Sequence, residues 1–435
     1  MTYHALIFVH TITPRIQYIA NFLSGYYNAD FGVTSSQDKY KSSEVTCKIN
    51  YSSHRLIQDE IWIHPHVLLF EASVRQVKIE CFEYNGLKAF FAAESDFRFD
   101  LFAAIFYLIT RYEEYLPYKR DGYGRYAHEN SLAFKENFLH IPLVNLWLED
   151  FRQLLQERAI IFKSHRKFVF RPTYDIDIAW SYRNKKFYIN AGGFARDLLK
   201  GNWKNLSERI KVLKGKKPDP FDSYEWMDSI HKLYQLKPVY FFLLAKEKGK
   251  YDKNIDVNNI QFNLLIHTIS QHSIIGLHPS WASSLKPSLL KVEKQTLETI
   301  LSRPVFSSRQ HYIKFQPANF PQLKALNITE EYSMGYGSIN GFRASYCNPY
   351  YWYNLKEDNE TDLRIHPFCF MDANAYYEQR MSPNEALTQL KGFYNHIAAV
   401  KGTMITIFHN SFLGTSKEFS GWKEMYASFI QGISS

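Results

Sequence analysis

The chain has 435 residues, of which 46% are hydrophobic and 22% charged, and its formal net charge is +9. It is longer than an ordinary single domain and has enough apolar residues for two hydrophobic cores. Its four cysteines contain no CxxC pair, which argues against a zinc ribbon or a disulfide framework and favours a reducing compartment. They are Cys47, Cys81, Cys347 and Cys369.

The N-terminal segment lacks the features of a secretory signal. Met1–Val9 has no basic stretch before its short apolar run and no clear cleavage site, so we expect no signal peptide. The longest apolar stretch, Leu101–Ile109, is too short to cross a bilayer. We therefore expect a cytoplasmic protein without a transmembrane helix.

Residues 1–165 are predicted to form a small α/β domain. His4–Val9 is typical of a strand and Arg15–Leu23 of a helix, and several short β-like runs follow. Asp96–Arg111 predicts an apolar, largely buried helix. We interpret its charged end, with Arg111, Glu113 and Glu114, as solvated, and a functional role for these residues is the alternative. This half contains no phosphate loop, dinucleotide fingerprint or serine elbow.

The most informative stretch of the chain is a strand pattern that ends in two acids. Phe168–Phe170 leads towards Asp175 and Asp177, and side chains at positions i and i+2 of a strand point to the same face. Two carboxylates that close together are unfavourable unless a cation, a proton or hydrogen bonds compensate them. A metal site is one explanation. The other is that one acid caps the next helix and the second is solvated.

A strongly basic insertion follows this strand, over residues 181–218. It contains eleven lysine or arginine residues but only two acids, Asp197 and Glu208. Four apolar residues fall on one face of a predicted helix: Trp203, Leu206, Ile210 and Leu213. Such a helix could lie on an anionic membrane surface, hold an acidic polymer, or be a solvated face packed on the domain. No nucleic-acid-binding module supports a nucleic-acid partner, and none is expected.

Strand and helix patterns alternate beyond residue 165, which predicts a second domain over residues 166–435. Lys237–Ala245 is typical of a buried strand, and Ser288–Leu301 is typical of an amphipathic helix. Alternation of this kind favours a parallel sheet or barrel.

Three later segments have the pattern of a short buried strand that delivers one polar residue at its carboxyl end. They are Gly276–Ser280 with His278, Gly341–Arg343, and Met404–Asn410 with His409. In an α/β barrel the functional side chains lie at the carboxyl ends of the strands. An acid pair, a histidine, an arginine and a second histidine in this order therefore predict one common site.

Together these motifs resemble those of a known family. Thr173–Asp177, Gly276–Ser280, Gly341–Arg343 and Phe408–Asn410, in this order, are similar to the motifs of the polysaccharide deacetylases of the NodB-like superfamily. More narrowly, they resemble a Bacteroidetes-type branch with an extra N-terminal domain. The resemblance implies a distorted (β/α)7 barrel preceded by a smaller α/β domain. It also implies metal-dependent hydrolysis of an N-acetyl or O-acetyl group on a carbohydrate.

The resemblance assigns roles to individual residues. Asp175 matches the general base that activates water, and Asp177 matches a metal ligand, one position later than in the family's Asp-Asp motif. His278 matches the first histidine ligand. Arg343 matches the arginine that orients the base, and His409 matches the general acid.

The family's second histidine ligand is missing, because Ala282 stands four residues after His278. A catalytic zinc normally keeps three protein ligands and an open position. His311 is the best substitute as the third ligand, and His272 and His366 are weaker candidates. The expected cofactor is a divalent metal, with zinc as the first choice.

A carbohydrate partner also predicts side chains that bind it. Tyr346 and Trp352 lie in an aromatic stretch around Arg343 and are candidates for stacking on a sugar, although core packing is the alternative for each. Arg309, two residues before His311, is a further candidate for substrate binding.

Two functions are consistent with the sequence. The first is a metal-dependent carbohydrate deacetylase, which is a hydrolase of carbon–nitrogen bonds other than peptide bonds. The second is a catalytically degenerate barrel that binds a glycan without turnover, and the missing histidine makes it credible. A cytoplasmic enzyme would act on a cytoplasmic glycan, a lipid-linked precursor or a polymer intermediate. The insertion at 181–218 would then hold it at the membrane as a peripheral protein.

Overall fold

The strand predicted at the start of the chain is the centre of a small parallel sheet. In the computed structural model, which describes residues 4–158, 166–284 and 286–434, this sheet has four strands. They are β1 (Ala5–Phe8), β2 (Phe31–Thr34), β3 (Cys47–Asn50) and β4 (Ile61–Trp62), in the order β2-β1-β3-β4. A separate hairpin pairs β5 (Phe82–Tyr84) with β6 (Leu87–Ala89). The helices of this half are α1 (Pro14–Tyr27), α2 (Gln37–Ser42), α3 (Leu101–Ile109), α4 (Leu132–Lys135) and α5 (Leu143–Glu157).

Local sequence explains where the main helices of this half begin. Thr13 caps α1 by accepting a hydrogen bond from the backbone N–H of Ile16, and a proline follows at the first helical position. Asp100 caps α3 in the same way through the N–H of Ala103. α3 is buried along its whole length, as its apolar sequence predicts, and belongs to one hydrophobic cluster with the second sheet.

The charged segment that follows α3 is buried, so the prediction of a solvated helix end is wrong. Arg111 adopts a positive φ of 55°, which ends the helix. Its guanidinium pairs with Glu114 at 2.7 Å and with Glu113 at 2.6 Å, and the arginine is fully buried. These charges can leave water because they pair with one another.

The alternation predicted beyond residue 165 forms a second, larger sheet. Its strands are β7 (Val169–Ile176), β8 (Val239–Leu243), β9 (Ile274–His278), β10 (Ser307–Ser308), β11 (Glu330–Glu331), β12 (Tyr350–Asn354), β13 (Asn359–Ile365), β14 (Phe370–Met371) and β15 (Thr403–His409). Its helices are α6 (Phe187–Leu199), α7 (Trp203–Leu213), α8 (Tyr224–Leu233), α9 (Ile260–Ser270), α10 (Pro287–Leu301), α11 (Phe320–Lys324), α12 (Pro383–Ala399) and α13 (Trp422–Ser434). The domain boundary predicted at residue 165 falls within residues 159–165, which lie outside the described residues.

The expected mixed α/β class is confirmed, but the described residues form an open sheet and not a closed (β/α)7 barrel. The strand order is β12-β13-β11-β10-β9-β8-β7-β15-β14, and all pairs are parallel except β12 with β13. A barrel closes only when its first and last strands pair. Here one edge ends in the antiparallel β12 and the other in β14, which has two residues.

Parallel pairing brings the polar ends of the strands to one edge of the sheet. The register of β15 with β7 places His409 beside Asp175, and the register of β9 with β8 places His278 beside Leu243. β10 pairs with β9, so the segment after β10 emerges next to His278. The strand ends that carry the predicted site therefore meet.

The basic insertion is a helical hairpin made of α6 and α7. Asp219 fixes the backbone at the start of the insertion, because its carboxylate accepts hydrogen bonds from the N–H groups of Ser181, Tyr182 and Arg183. Of the four apolar residues predicted to share a face, Leu206 is buried, whereas Trp203 is 65% exposed. Across the described residues, no helix combines the length and apolar character needed to span a membrane.

Candidate metal centre

Two carboxylates and an imidazole meet where β7 and β9 end. His278 Nε2 lies 3.2 Å from Asp177 Oδ1 and 3.7 Å from Asp175 Oδ2. Asp175 is 2% exposed and the side chain of Asp177 is 30% exposed. The same-face geometry inferred from the i, i+2 spacing is therefore present, and the acids project into a common site.

Two more imidazoles face the same carboxylate. His311 Nε2 lies 3.5 Å from Asp177 Oδ2, and His409 Nε2 lies 3.6 Å from the same oxygen. One ligand atom each from Asp177, His278 and His311 lies within 4.8 Å of the other two. The structure thus brings His311, from the segment after β10, to the same carboxylate as His278.

The other nitrogen of each ring has a fixed partner. His278 Nδ1 contacts the backbone carbonyl oxygen of Arg309 at 2.5 Å, and a carbonyl only accepts, so Nδ1 carries the hydrogen. His311 Nδ1 contacts the carboxylate of Asp252 at 2.9 Å. Such partners orient histidine ligands in metal sites and fix their tautomer.

His409 is anchored in the same way, on the opposite side of Asp177. Its Nδ1 lies 2.6 Å from the Asp372 carboxylate, which also accepts the backbone N–H of His409 at 2.7 Å. In all three rings the neutral tautomer with Nδ1–H leaves an Nε2 lone pair towards Asp177. Three lone pairs around one carboxylate require a shared cation or protons on the rings.

The pKa values of His311 and Asp177 are both shifted towards their charged forms. Burial lowers the pKa of His311, but the carboxylates of Asp177 and Asp252 outweigh it and raise the value to about 9. Burial raises the pKa of Asp177, yet the charge of His311 and hydrogen bonds from the two nearest rings bring it well below its usual value. Asp177 Oδ1 is buried, and His278 Nε2 lies 3.2 Å from it. An oxygen and two nitrogens arranged in this way fit a divalent metal of the zinc type.

The arginine that contacts the proposed base is Arg309, not Arg343. Arg309 Nη1 donates to Asp175 Oδ1 at 2.8 Å, and its Nε donates to the carbonyl oxygen of Tyr332 at 3.0 Å. Its guanidinium is fully buried over the ring of Phe241. Arg309, which the sequence suggested as a substrate-binding residue, thus holds the carboxylate of Asp175.

Arg343 serves a different partner. Its Nε and Nη2 donate to the two carboxylate oxygens of Glu114 at 2.8 and 2.6 Å, and its Nη1 donates to the Gly335 carbonyl at 2.9 Å. The expected strand at Gly341–Arg343 does not form, since these residues lie in an irregular segment. The arginine therefore anchors the N-terminal half and does not reach the acids at the end of β7.

The aromatic residues suggested for sugar stacking lie elsewhere. Trp352 is 1% exposed and packs edge-on against Phe320. Tyr346 is 2% exposed and borders a cavity of about 940 Å³ formed by residues at the amino ends of the strands, such as Val169 and Ile274. Both are therefore corrected to buried packing residues, and Tyr346 lies at the ends of the strands opposite to the acids.

The weaker histidine candidates are also outside the site. His272 pairs with Asp228 at 3.2 Å on the surface, and His366 is bonded to Glu330 and stacks on Tyr332. Both are therefore engaged away from Asp177.

Sequence reasoning missed two acids and a group of rings. Asp252 lies in a lysine-rich loop without a recognisable pattern, whereas Asp372 directly follows the apolar run of β14 and could have been found as one more strand end. Four half-buried rings contact one another around His311: Tyr123, Tyr251, Trp281 and Tyr312. Tyr312 has a positive φ of 59°, an uncommon conformation that turns the chain directly after His311.

Comparisons with known proteins found one family model and several solved structures similar to this chain. A family model described as a family of unknown function, DUF7033, matches residues 5–160. No curated protein matches the chain. The solved structures similar to it include polysaccharide deacetylases.

Three of these solved structures have low sequence identity to this chain and low TM-scores. A putative polysaccharide deacetylase from Mycobacterium smegmatis is 11% identical, with a TM-score of 0.40 over 63% of this chain and 87% of that one. PuuE allantoinase is 9% identical, with a TM-score of 0.38 over 61% of this chain and 84% of that one. A putative polysaccharide deacetylase involved in O-antigen biosynthesis, from Bordetella bronchiseptica, is 10% identical. Its TM-score is 0.30 over 62% of this chain and 89% of that one. At these sequence identities and TM-scores, a function for this chain can be inferred only from the contacts within the site.

Proposed function

We propose that this protein is a metal-dependent hydrolase that removes an acetyl group from an N-acetylated or O-acetylated carbohydrate. The observation that carries the proposal is the set of three imidazoles, each anchored through Nδ1, whose Nε2 atoms surround the Asp177 carboxylate. Asp175 lies beside them with one carboxylate oxygen held by an arginine. A metal site with a positioned base and acid is the arrangement that amide hydrolysis requires.

We assign the metal to Asp177, His278 and His311. These three residues offer one oxygen and two nitrogens, and their ligand atoms already lie close together. Three protein ligands leave an open position, as in catalytic zinc sites, so zinc is the proposed ion. When bound, a divalent metal polarises a carbonyl group and lowers the pKa of water.

Asp175 is the proposed general base. Arg309 occupies its Oδ1, while Oδ2 faces the site 3.7 Å from His278 Nε2. The free oxygen can therefore accept the proton of an attacking water, and the arginine keeps the carboxylate in position.

His409 is the proposed general acid. Burial lowers its pKa, but the Asp372 carboxylate and the two acids at the end of β7 raise it to about 10. Its Nε2 therefore holds a proton at neutral pH, directed into the site. That proton can pass to the leaving amine or alcohol as the carbonyl–heteroatom bond breaks.

The glycan-binding alternative is less well supported than it was from the sequence. It rested on the lack of a third metal ligand, and His311 supplies a candidate beside Asp177. We further propose that residues 1–165 and 166–435 are separate domains, of the Bacteroidetes-type arrangement suggested by the motifs, in a cytoplasmic enzyme. The comparisons give no support to the expectation that residues 181–218 bind a membrane surface.

Acetate release tests the proposed function. Zinc-loaded protein is expected to release acetate from N-acetylated or O-acetylated oligosaccharides, whereas protein dialysed against a chelator is expected to lose this activity and regain it with zinc. Metal content is measured by elemental analysis on the same samples. One metal ion per chain without acetate release, together with oligosaccharide binding, would instead favour the glycan-binding alternative.

The pH dependence of acetate release is expected to report His409. Activity should fall on the alkaline side as this ring loses its proton, at or below pH about 10, because a bound cation opposes its protonation. Asp372→Asn removes the charge that raises the pKa of His409, so the alkaline limb should move to lower pH. Profiles of kcat/KM against pH measure the shift, with Asp228→Asn as a control. An unmoved limb in Asp372→Asn contradicts the assignment of His409.

A further inference from the structure

A cavity of about 640 Å³ lies beside the candidate metal centre and is not used by the chemistry described above. The α6–α7 hairpin forms one wall, and residues 246–256 form the other. Ile178, which directly follows Asp177, and Asp252, which holds the ring of His311, both line it. Its volume is in the range of pockets that bind small organic ligands.

Positive charge dominates this cavity. Seven lysine or arginine side chains line it, compared with three acids. Each acid already has a partner: Asp197 pairs with Arg209 at 2.8 Å, and Asp256 pairs with Lys186 at 2.7 Å. Asp252 is occupied by His311 and by the backbone N–H groups of residues 281 and 282.

Three of these lysines form no ion pair within the described residues. Lys185, Lys246 and Lys253 make no ion pair with any acid in the described part of the chain. Lys248 differs, because its ammonium donates to three backbone carbonyls and so holds the loop together. The unpaired ammonium groups are therefore available to a ligand.

Lys185 is a lysine of this cavity whose pKa is lowered by burial and by neighbouring positive charges. It is only half-exposed, and Asp219, the acid whose charge acts on it, already accepts three backbone hydrogen bonds. Burial, together with the charges of Arg209, Arg196 and Lys253, lowers the pKa of Lys185 to about 8, although Asp219 opposes the shift. An anion in the cavity would relieve this repulsion.

The position of Arg209 depends on a glycine in the opposite helix. A Cβ atom at Gly193 would lie 2.6 Å from Arg209 Nη2, so a larger residue in α6 would displace the guanidinium. The arginine sits over the ring of Tyr182 and donates to Asn190 Oδ1 at 3.2 Å. The two helices are thus packed to hold a buried cation at the wall of the cavity.

We propose that this cavity binds an anionic group, a phosphate or a carboxylate, that is covalently attached to the sugar being deacetylated. The acetylated position would lie at the metal centre while Lys185 and Lys253 hold the charge. The anion site rests on the cavity and its charges alone, whereas its assignment to the substrate rests on the proposed function. Charge-assisted hydrogen bonds of this type are stronger than neutral ones and fix orientation as well as affinity.

Anion binding is tested on metal-free protein, so that a metal cannot hold the probe. Inorganic pyrophosphate, titrated by calorimetry, is expected to bind wild-type protein and to bind the double variant Lys185→Gln/Lys253→Gln at least about tenfold more weakly. The matched control is Lys204→Gln/Lys211→Gln, which removes the same charge from exposed positions of α7. Equal weakening in both double variants, or no binding to wild type, overturns the anion site.

The substrate assignment has its own experiment. Zinc-loaded protein should show a kcat/KM for acetate release at least about tenfold higher with N-acetylglucosamine 1-phosphate or N-acetylmuramic acid than with N-acetylglucosamine. This advantage should disappear in Lys185→Gln/Lys253→Gln. In wild-type protein, a higher kcat/KM for the 1-phosphate alone indicates that the cavity binds a phosphate, and a higher kcat/KM for N-acetylmuramic acid alone indicates a carboxylate. Equal use of the neutral sugar overturns the assignment. Pyrophosphate binding without acetate release from any sugar would contradict the proposed function and leave the anion site intact.

Discussion

His311→Ala is expected to lose both the bound metal and acetate release. The ring supplies one of three candidate ligand atoms around Asp177, and its Nδ1 partner, Asp252, already holds it in place. Loss of a partner that only orients a ligand typically costs 10–100-fold, so loss of the ligand itself should weaken zinc binding by more than about 100-fold. Elemental analysis and a zinc titration against a competing chelator measure the change.

His272→Ala is the matched control for this variant. His272 lies on the surface, where it pairs with Asp228, and should retain wild-type metal content and activity when replaced. A His311→Ala protein that still holds one zinc per chain with wild-type affinity would show that His311 is not a ligand.

Asp175→Asn is expected to separate metal binding from catalysis. The amide keeps the size of the side chain and can still contact Arg309, but it cannot accept a proton from water. General acid–base groups contribute about 10²–10⁴-fold to rate, so kcat/KM should fall by roughly that factor while one zinc per chain remains bound. Steady-state acetate release and elemental analysis on the same preparation measure the two quantities.

Two comparisons sharpen this result. Asp228→Asn makes the same chemical change at a partly exposed acid that pairs with Lys232 and His272, and it should leave kcat/KM unchanged. Arg309→Met should lower kcat/KM without loss of metal, because it frees the Asp175 carboxylate. Activity of Asp175→Asn within about tenfold of wild type would exclude Asp175 as the base.

The parts of the site that the sequence predicted are those at the ends of well-marked strands. Asp175, Asp177, His278 and His409 each end an apolar run, and parallel pairing then brings them together. Their convergence follows from strand periodicity and sheet geometry alone. His311 was predicted only as a substitute, because β10 has two residues and leaves a faint pattern.

The errors have equally local causes. Gly341–Arg343 resembles a strand end but forms no strand, so its arginine joins Glu114 and not Asp175. The exposure of an aromatic residue cannot be read from composition, and Trp352 is consequently a packing residue. Barrel closure failed as a prediction because no local pattern encodes whether the two edge strands pair, and in the described residues β12 and β14 lie at opposite edges of the sheet.

The burial of Arg343 against Glu114 has a consequence for the whole chain. Breaking a buried ion pair by removing one partner typically costs about 3–5 kcal/mol. That is a large share of the roughly 5–15 kcal/mol that keeps a native protein folded. Glu114 of the N-terminal half therefore neutralises a buried guanidinium of the C-terminal half, and a fragment containing only the C-terminal half would leave Arg343 without that carboxylate.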